Sequence, residues 1–516
     1  MCKAIYPQKS KKLPYDSEAI KELISRAWFK RVWTIQELVM AREPIVVCGE
    51  KMIGWGNLFK GVLSAVDLAD DKNGNALSDI PNSIVVAEAL RLYHYIITEW
   101  SEAPVREWLL HRTSKESSTV LKRFLDFLEV HGHTLLNFHY LVIALTLLIR
   151  IYYGLAPLRS WILPLPILTC LATMILTPKS NHMDLSESLW KKLVPMLREI
   201  RTLQVTMEVD RVFALYGVFQ NVGIPLQKPD YGKSVSEAYC EFTCAMIKWQ
   251  RSLDILVGAV APGLPDSPSW VPDWSTPYYP IICNYSKAAK DSSPEYSFSD
   301  NDRKLISAGV EVDEVKYCME MLEEMSDPFD GGSTSLGTDF LSRSLHNIKV
   351  LAQWTSDMLR FSNHRYESIS DVFFETLNSD TFQENKDKSH VREIFEMWYS
   401  ILTADCSECS TIYPPEVARI VALSANQPLN RYHNDRCQAI AGKRMFFVTS
   451  NGYIGTGPLS TGAGDKVAIL SGFAAPLILR AIGPHRQVVG AAYIHGIMQG
   501  EAWPEDQAKL VKVTLI

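Results

Sequence analysis

Apolar residues first fall into a regular pattern at Trp28, Val32, Ile35 and Val39, which follow one another at helical intervals of 4, 3 and 4. Asp16 and Glu18 stand where a helix start accepts acidic side chains. The pattern therefore predicts one helix from Asp16 with a single buried stripe. Pro44 blocks its continuation, residues 45–48 (IVVC) read as a short buried strand, Gly49 opens a turn, and a second helix follows Trp55.

The composition changes between Lys115 and Asn181. Residues 140–158 (YLVIALTLLIRIYYGLAPL) carry one charge, Arg150, and residues 160–177 (SWILPLPILTCLATMILT) carry none. Both runs approach the roughly 20 apolar residues of a spanning helix, which makes the pair a candidate membrane hairpin. Tyr152, Tyr153 and Trp161 flank the connecting turn at Gly154 and Pro157 as interfacial rings do. Lys115, Lys122, Arg123, Lys179, Lys191 and Lys192 lie outside both runs and favour two cytoplasmic ends. Against spanning, Pro164 and Pro166 leave about 14 helical residues, or roughly 21 Å, for a core of about 30 Å. Arg150 also costs about 2.5–3.5 kcal/mol near a bilayer centre. The competing reading is a buried helical pair in an α-rich domain. The localisation expected is the cytoplasmic face of a membrane, with a soluble cytoplasmic chain as the alternative.

Beyond the insert, Val212, Phe213, Leu215 and Tyr216 read as a helix buried on most of its circumference and ended by Gly217. Ser236 to Gln250 reads as an amphipathic helix. In residues 268–274 (PSWVPDW) two prolines hold the backbone extended while Trp270 and Trp274 supply packing surface. Residues 305–315 alternate around Gly309 as a strand, 326–339 form a polar loop, and helical patterns fill 343–424. From Arg444 the period becomes two, with the hairpin signal Asn451-Gly452. Five short strands in this span suggest a small β-barrel or curled sheet.

At 516 residues, 47% apolar and 21% charged, the chain can bury ordinary cores in several units. A net charge of −6 provides no electrostatic pull toward nucleic acid, so no nucleic-acid partner is expected. Ten thinly spread cysteines fit a reducing compartment better than a disulfide framework.

Several blocks, in order, resemble fungal heterokaryon-incompatibility (HET) proteins. The W-x-x-R-x-W-x-x-Q-E helix (Trp28, Arg31, Trp33, Gln36, Glu37), the strand ending in Cys48-Gly49 and the helix begun by Trp55 resemble the last part of the HET domain. Asp210, Arg211 and Gly217 belong to DRVFALYG, which resembles the D-K-V-Y-A-L-L-G block, and PDYGKSVSEAY (229–239) resembles the next. PSWVPDW gives a third. Gly464, Asp465, Pro476, Arg480, Tyr493, His495, Gly496, Met498, Gly500 and Glu501 resemble the C-terminal module of long HET proteins. The earlier S-Y-x-W-G and W-x-D-x-x-C-I-N-Q blocks are expected upstream, where only a basic leader (MCKAIYPQKSKKLPYD) stands, so the expectation is an N-terminally truncated member.

The resemblance implies an α+β chain: a partial TIR-like α/β HET remnant (16–69), a helical connector (70–133), the hydrophobic insert (134–178), a helical region (183–258), a mixed α/β region (259–430) and a C-terminal β module (431–516). It also implies a role in fungal allorecognition or programmed cell death, with protein partners or self-association. Glu37 is the one catalytic candidate. It has no cation at i±3 or i±4, and W-T-I-Q-E-L resembles the W-C-x-x-E-L helix of TIR domains, whose glutamate serves NAD cleavage in some members. Such a carboxylate would stabilise the ribose hydroxyls or a developing oxocarbenium ion. Without the upstream blocks the expectation leans to a non-catalytic protein without a cofactor, NAD entering only under the alternative. Cys406 and Cys409, with His433 and Cys437, have zinc-ligand types in a loose spacing, and ordinary thiols are the preferred reading, so no metal is expected. His495 reads as a packed strand histidine, and no Walker loop, G-x-G-x-x-G, H-E-x-x-H or G-x-S-x-G occurs.

The hairpin reading makes a direct prediction. A tagged chain should stay in the membrane pellet after carbonate extraction and lose that property on deletion of 134–178. Full recovery in the supernatant, with the deletion insoluble, would make the segment a core instead.

Overall fold

In the computed structural model the described residues are 22–62, 91, 197, 200–221, 223–276, 286–324, 336–379, 388–404 and 414–516. The chain divides into two units, residues 1–90 with 194–516 and residues 91–193. Apart from Arg91, the described residues belong to the first. The candidate membrane hairpin at 140–177 lies outside them. No helix among the described residues is long and apolar enough to cross a membrane.

The single helix expected from Asp16 is broken within residues 22–40. A 3-10 turn, Ala27–Lys30, lies between extended backbone at Arg26 and Arg31 (ψ 145° and 138°), and helix α1 follows over Trp33–Met40. The break has a tertiary cause, because Gln204 takes two backbone groups that a continuous helix would use. Its N–H donates to the Lys30 carbonyl at 2.8 Å, and the Val32 N–H donates to its carbonyl at 3.1 Å. The apolar stripe survives, with Val32, Ile35 and Val39 fully buried. Strand β1 (Ile45–Cys48) pairs antiparallel with β2 (Lys51–Gly54), Val47 facing Met52. It is not the buried strand expected from IVVC: Ile45, Val47 and Met52 are 59%, 63% and 64% exposed. A strand paired only within its own hairpin leaves one face open, and the arrangement offers no support for a TIR-like α/β sheet among the described residues.

Residues 210–250 form three helices: α2 (Asp210–Phe213), α3 (Tyr216–Asn221) and α4 (Val235–Gln250). Gly217 does not end a helix as expected; it lies inside α3, where the Gln36 side chain packs against it. Helix α4 starts on a capping box in which the Ser234 side chain accepts from the Glu237 N–H and the Glu237 carboxylate accepts from the Ser234 N–H. PSWVPDW is a turn rather than an extended segment, closed by the Val271 N–H on the Pro268 carbonyl at 3.0 Å.

The rest is built on one long strand. β3 (Tyr296–Ser299) pairs with β4 (Lys304–Cys318), which also pairs antiparallel with β11 (Val511–Leu515), β7 (Lys466–Leu470) and β5 (Arg444–Thr449). β5 continues to β6 (Ile454–Pro458), and β6 pairs with β10 (Tyr493–Ile494), which extends β9 (His485–Ala491) past Ala492. β9 pairs with β8 (Leu477–Ile482), and β8 with β7. The ring β4-β5-β6-β10/β9-β8-β7 returns to β4, so the β-barrel reading holds, with its closing stave supplied by residues far upstream of Arg444. β11 ties β4 to β9 from outside the ring, Leu515 pairing with Arg486. Val315, Phe447, Val467, Ile478, Val489 and Ile494 form one buried cluster with a residue from each of β4, β5, β7, β8, β9 and β10.

Between β4 and β5 the chain inserts helices α5 (Leu336–Phe361), α6 (Ile369–Leu377), α7 (Ser389–Thr403), α8 (Pro415–Ser424) and α9 (Gln427–Ile440). Within the C-terminal module expected from 431, residues 427–440 are helical and the strands begin at Arg444. Alternation along β5 joins the two layers: Phe446 and Val448 belong to the helical core, with Trp354 stacked on Phe446 at 4.4 Å, while Phe447 points into the barrel. Each such buried side chain contributes about 1.5–3 kcal/mol.

Gly309 sits where β4 pairs with β11 and β7 at once. A Cβ there would lie 2.7 Å from the Ile469 carbonyl oxygen and 2.8 Å from a Leu470 methyl. Gly309→Ala should therefore cost about 1–3 kcal/mol as an overpacked site, read as a lower thermal midpoint. Gly54→Ala, which meets no atom within 4 Å, should leave the midpoint nearly unchanged.

Candidate functional site

The sequence blocks are far apart in the chain and meet in one series of contacts. On the N-terminal side, half-buried Trp28 packs edge-on against Phe29 and Trp55, with centroids at 4.9 and 6.3 Å. Arg31 contributes its backbone to the bridge with Gln204 while its side chain is exposed, and Trp33 is half-buried. Gly49, at φ 61°, turns β1 into β2, and Arg26 donates to the Cys48 sulfur at 3.5 Å. The Gln36 carboxamide accepts from the Gly217 N–H at 3.2 Å, joining α1 to α3 across 181 residues.

Asp210 and Arg211 connect onward in different directions. Buried Asp210 accepts from the Tyr231 hydroxyl at 2.9 Å, which links DRVFALYG to the P-D-Y block. Burial, followed by the Asp210 hydrogen bond and charge, holds the Tyr231 phenol above its ordinary pKa. Arg211 donates to the Arg201 and Leu203 carbonyls, each at 3.0 Å, and pairs with Glu208 at 2.7 Å. Rings then carry the contact inward: Phe213 on Tyr231, Tyr216 and Phe219 on Phe242, and Phe242 edge-on to Trp274 at 5.4 Å. The Arg201 guanidinium covers the Trp274 indole at 4.5 Å. Fully buried Trp270 donates to the Arg303 carbonyl at 3.3 Å. Neighbouring Ser269 reaches the barrel, its hydroxyl accepting from the Val488 N–H at 2.8 Å and its N–H donating to the Ile516 carbonyl at 2.9 Å.

The C-terminal block is a set of turns. Gly496 and Gly500 take φ of 87° and 89°. The Met498 carbonyl accepts from the Lys287 N–H at 2.7 Å, and Glu501 accepts from the Gln499 N–H at 2.8 Å. Asp465, with its side chain only 4% exposed, takes both arms of the Arg480 guanidinium at 2.8 Å and the Gly462 N–H at 2.8 Å. His495 lies between Tyr493, at 3.5 Å from its Nδ1, and Tyr366, whose hydroxyl donates to the His495 carbonyl at 3.2 Å. Burial lowers its pKa, and the charges of Glu375, Glu501 and Asp371 pull the other way. It is packed as expected, but in the turn that follows β10 rather than in a strand.

Glu37 stands apart from these contacts. It is exposed, and among the described residues no hydrogen bond or ion pair involves it. An open groove of about 500 Å³ lies at the start of α4, lined by Ser234 and Glu237 of the PDYGKSVSEAY block together with Leu264, Asp266 and Arg303, and Glu37 is not among its lining residues. His433 and Cys437 sit in the helical core, His433 accepting from the Trp398 indole at 3.3 Å with the Cys437 sulfur 3.8 Å from its Nε2. Cys406 and Cys409 lie outside the described residues. Among those described, no group of three or more His, Cys, Asp or Glu is placed to hold a metal ion. Sequence reasoning missed Gln204 and Ser269 as connecting residues. Neither carries a local signal, since each acts through backbone and hydroxyl hydrogen bonds with distant strands and turns.

Burial holds His433 at a pKa of about 4, below the ordinary 6.5. Between those values the unfolded chain takes up a proton that the folded chain excludes, so stability is full above about pH 6.5 and falls toward pH 4. The contribution of this one group is about 3 kcal/mol. Denaturant melts across that range should show the loss, and His433→Asn, which keeps an acceptor for Trp398, should flatten it.

Comparison with known proteins finds two similarities. A family model described as the Het-6 beta-barrel domain matches residues 421–509. That span holds α9 and β5 to β10, whereas β4 and β11 lie outside it. The chain is also similar to heterokaryon incompatibility protein 6 (OR allele) of Neurospora crassa, 23% identical over 93% of this chain. The chain spans 65% of that relative's length. No solved structure matches it. The barrel domain at its C-terminal end and this relative along most of its length together support the resemblance to fungal heterokaryon-incompatibility (HET) proteins.

Proposed function

We propose that this chain acts in fungal heterokaryon incompatibility as a non-catalytic protein, with a barrel and helical layer that present a recognition surface to a protein partner or a second copy. The observation that carries the non-catalytic part is the setting of Glu37. Its carboxylate is exposed and without a polar partner among the described residues, and the adjacent Gln36 is committed to Gly217. A carboxylate that stabilises an oxocarbenium ion acts only when neighbouring groups hold the ribose in near-attack geometry, and a misplacement of about 1 Å costs roughly 10²-fold. The role in incompatibility is supported by the name of the Neurospora relative and by the barrel domain.

One experiment tests both parts. Introduced into a fungal strain, the chain should restrict heterokaryon growth with some partners, and Glu37→Ala should keep that effect. Purified protein incubated with NAD should release no nicotinamide. Release that disappears in Glu37→Ala, together with loss of the growth effect, would replace this reading with an NAD-cleaving effector.

A further inference from the structure

The hairpin of β1 and β2 leaves one edge of β1 open. Antiparallel pairs alternate between those that exchange backbone hydrogen bonds and those that do not. The Trp55 N–H donates to the Pro44 carbonyl at 3.0 Å, and the register Val46–Ile53 and Cys48–Lys51 then keeps the bonded pairs on alternate residues of β1. Ile45 and Val47 therefore turn their N–H and C=O groups away from β2. Among the described residues no third strand takes them. Their side chains share one face with Met52, and all three are exposed.

Proteins usually blunt such an edge with a lysine, a bulge or a covering segment. β1 reads IVVC, carries no charged side chain and pairs without a register shift. Pro44 does not block addition, because the N–H that proline lacks would point toward β2. Two copies of this edge fit each other in one register. About a twofold axis at Val46, Ile45 of each copy faces Val47 of the second, and every outward backbone group of both strands is used. A shift of two residues either way sets Ile45 against Gly49 or Val47 against Glu43, outside the strand. The favoured register also brings Arg42 of each copy beside Glu50 of the second. Both residues are exposed, and neither has an ion-pair partner among the described residues.

We propose that the open edge of β1 is a self-association surface, on which a second copy of this chain adds its own β1 antiparallel, Ile45 against Val47, with Arg42 and Glu50 pairing across both ends. Backbone hydrogen bonds hold the two hairpins in one sheet, as in other strand additions. The twofold axis keeps the faces of the hairpins on the same side, so the exposed Ile45, Val47 and Met52 of both copies join into one apolar patch with cross-strand Ile–Val pairs. A contact of one short strand per copy makes a weak dimer that forms and dissociates with concentration. The inference rests on the recognition reading above for the kind of partner and adds the surface and the register.

Sedimentation velocity of the full chain over a concentration series tests the surface, separately from heterokaryon growth. The unsubstituted chain should pass from monomer to dimer, and Val47→Lys should hold it monomeric. Arg42→Glu and Glu50→Arg should each weaken dimerisation at least about tenfold, because twofold symmetry repeats every like-charge contact. An equimolar mixture of those two variants, and the double variant, should recover it, with thermal midpoints unchanged throughout. That recovery distinguishes loss of the surface from loss of the fold. A monomer at every concentration, a dimer indifferent to Val47→Lys as one held by the apolar run 140–177 would be, or single variants that associate no better mixed than alone would overturn the proposal. A dimer with these sensitivities that does not restrict heterokaryon growth would support the surface and strike the incompatibility role instead.

Discussion

The ladder of backbone hydrogen bonds along β4 is the constraint on which the rest of the fold depends. One 15-residue strand carries β3 and β7 on one edge and β11 and β5 on the other, its register shifting at two irregularities, one between Glu311 and Asp313 and one between Val315 and Tyr317. Such bulges twist a strand sharply, which lets one segment serve two stretches of sheet. Without β4 the strands after Arg444 would form an open curled sheet with exposed edges on β5 and β7. With it they close around Val315, Phe447 and Val467. The helices between β4 and β5 are held by the same closure, because Phe446 and Val448 can face them only if Phe447 is fixed inward.

The motif residues act mainly as connectors. Gln36 meets Gly217, Asp210 meets Tyr231, Phe242 meets Trp274, and Ser269 meets β9 and the Ile516 carbonyl. Each link couples a short element with little core of its own to the next, so the series runs unbroken from α1 to the barrel. Buried hydrogen bonds and ring contacts of this kind cost more when broken than they contribute when formed, since a lost partner leaves a desolvated group behind. A chain of such links fixes the position of each short element relative to the next.

The same logic separates Gln36 from Glu37. They are adjacent on one short helix, and a rotation of about 100° per residue puts one against α3 and the other into solvent. The catalytic candidate named from sequence is Glu37, whereas the contact that ties this helix to α3 belongs to Gln36.

Several features were legible from sequence because they depend on local periodicity. The stripe of Val32, Ile35 and Val39, the amphipathic helix read over Ser236 to Gln250, the hairpin at Asn451-Gly452 and the alternation of 305–315 all follow from side-chain spacing and turn chemistry within a few residues. The family blocks were legible in the same way. Tertiary structure alone decided what non-local partners impose. Gln204 breaks the first helix by taking the backbone of Lys30 and Val32, Gln36 accepts the Gly217 N–H in the first turn of α3, and β1 stays exposed because, among the described residues, it pairs with β2 alone. The strand around Gly309 becomes the stave that closes a barrel whose other staves begin at Arg444. Periodicity fixes which face of a segment is apolar, but the partner for that face is set by packing and hydrogen bonds across a hundred residues or more, and no local pattern encodes it.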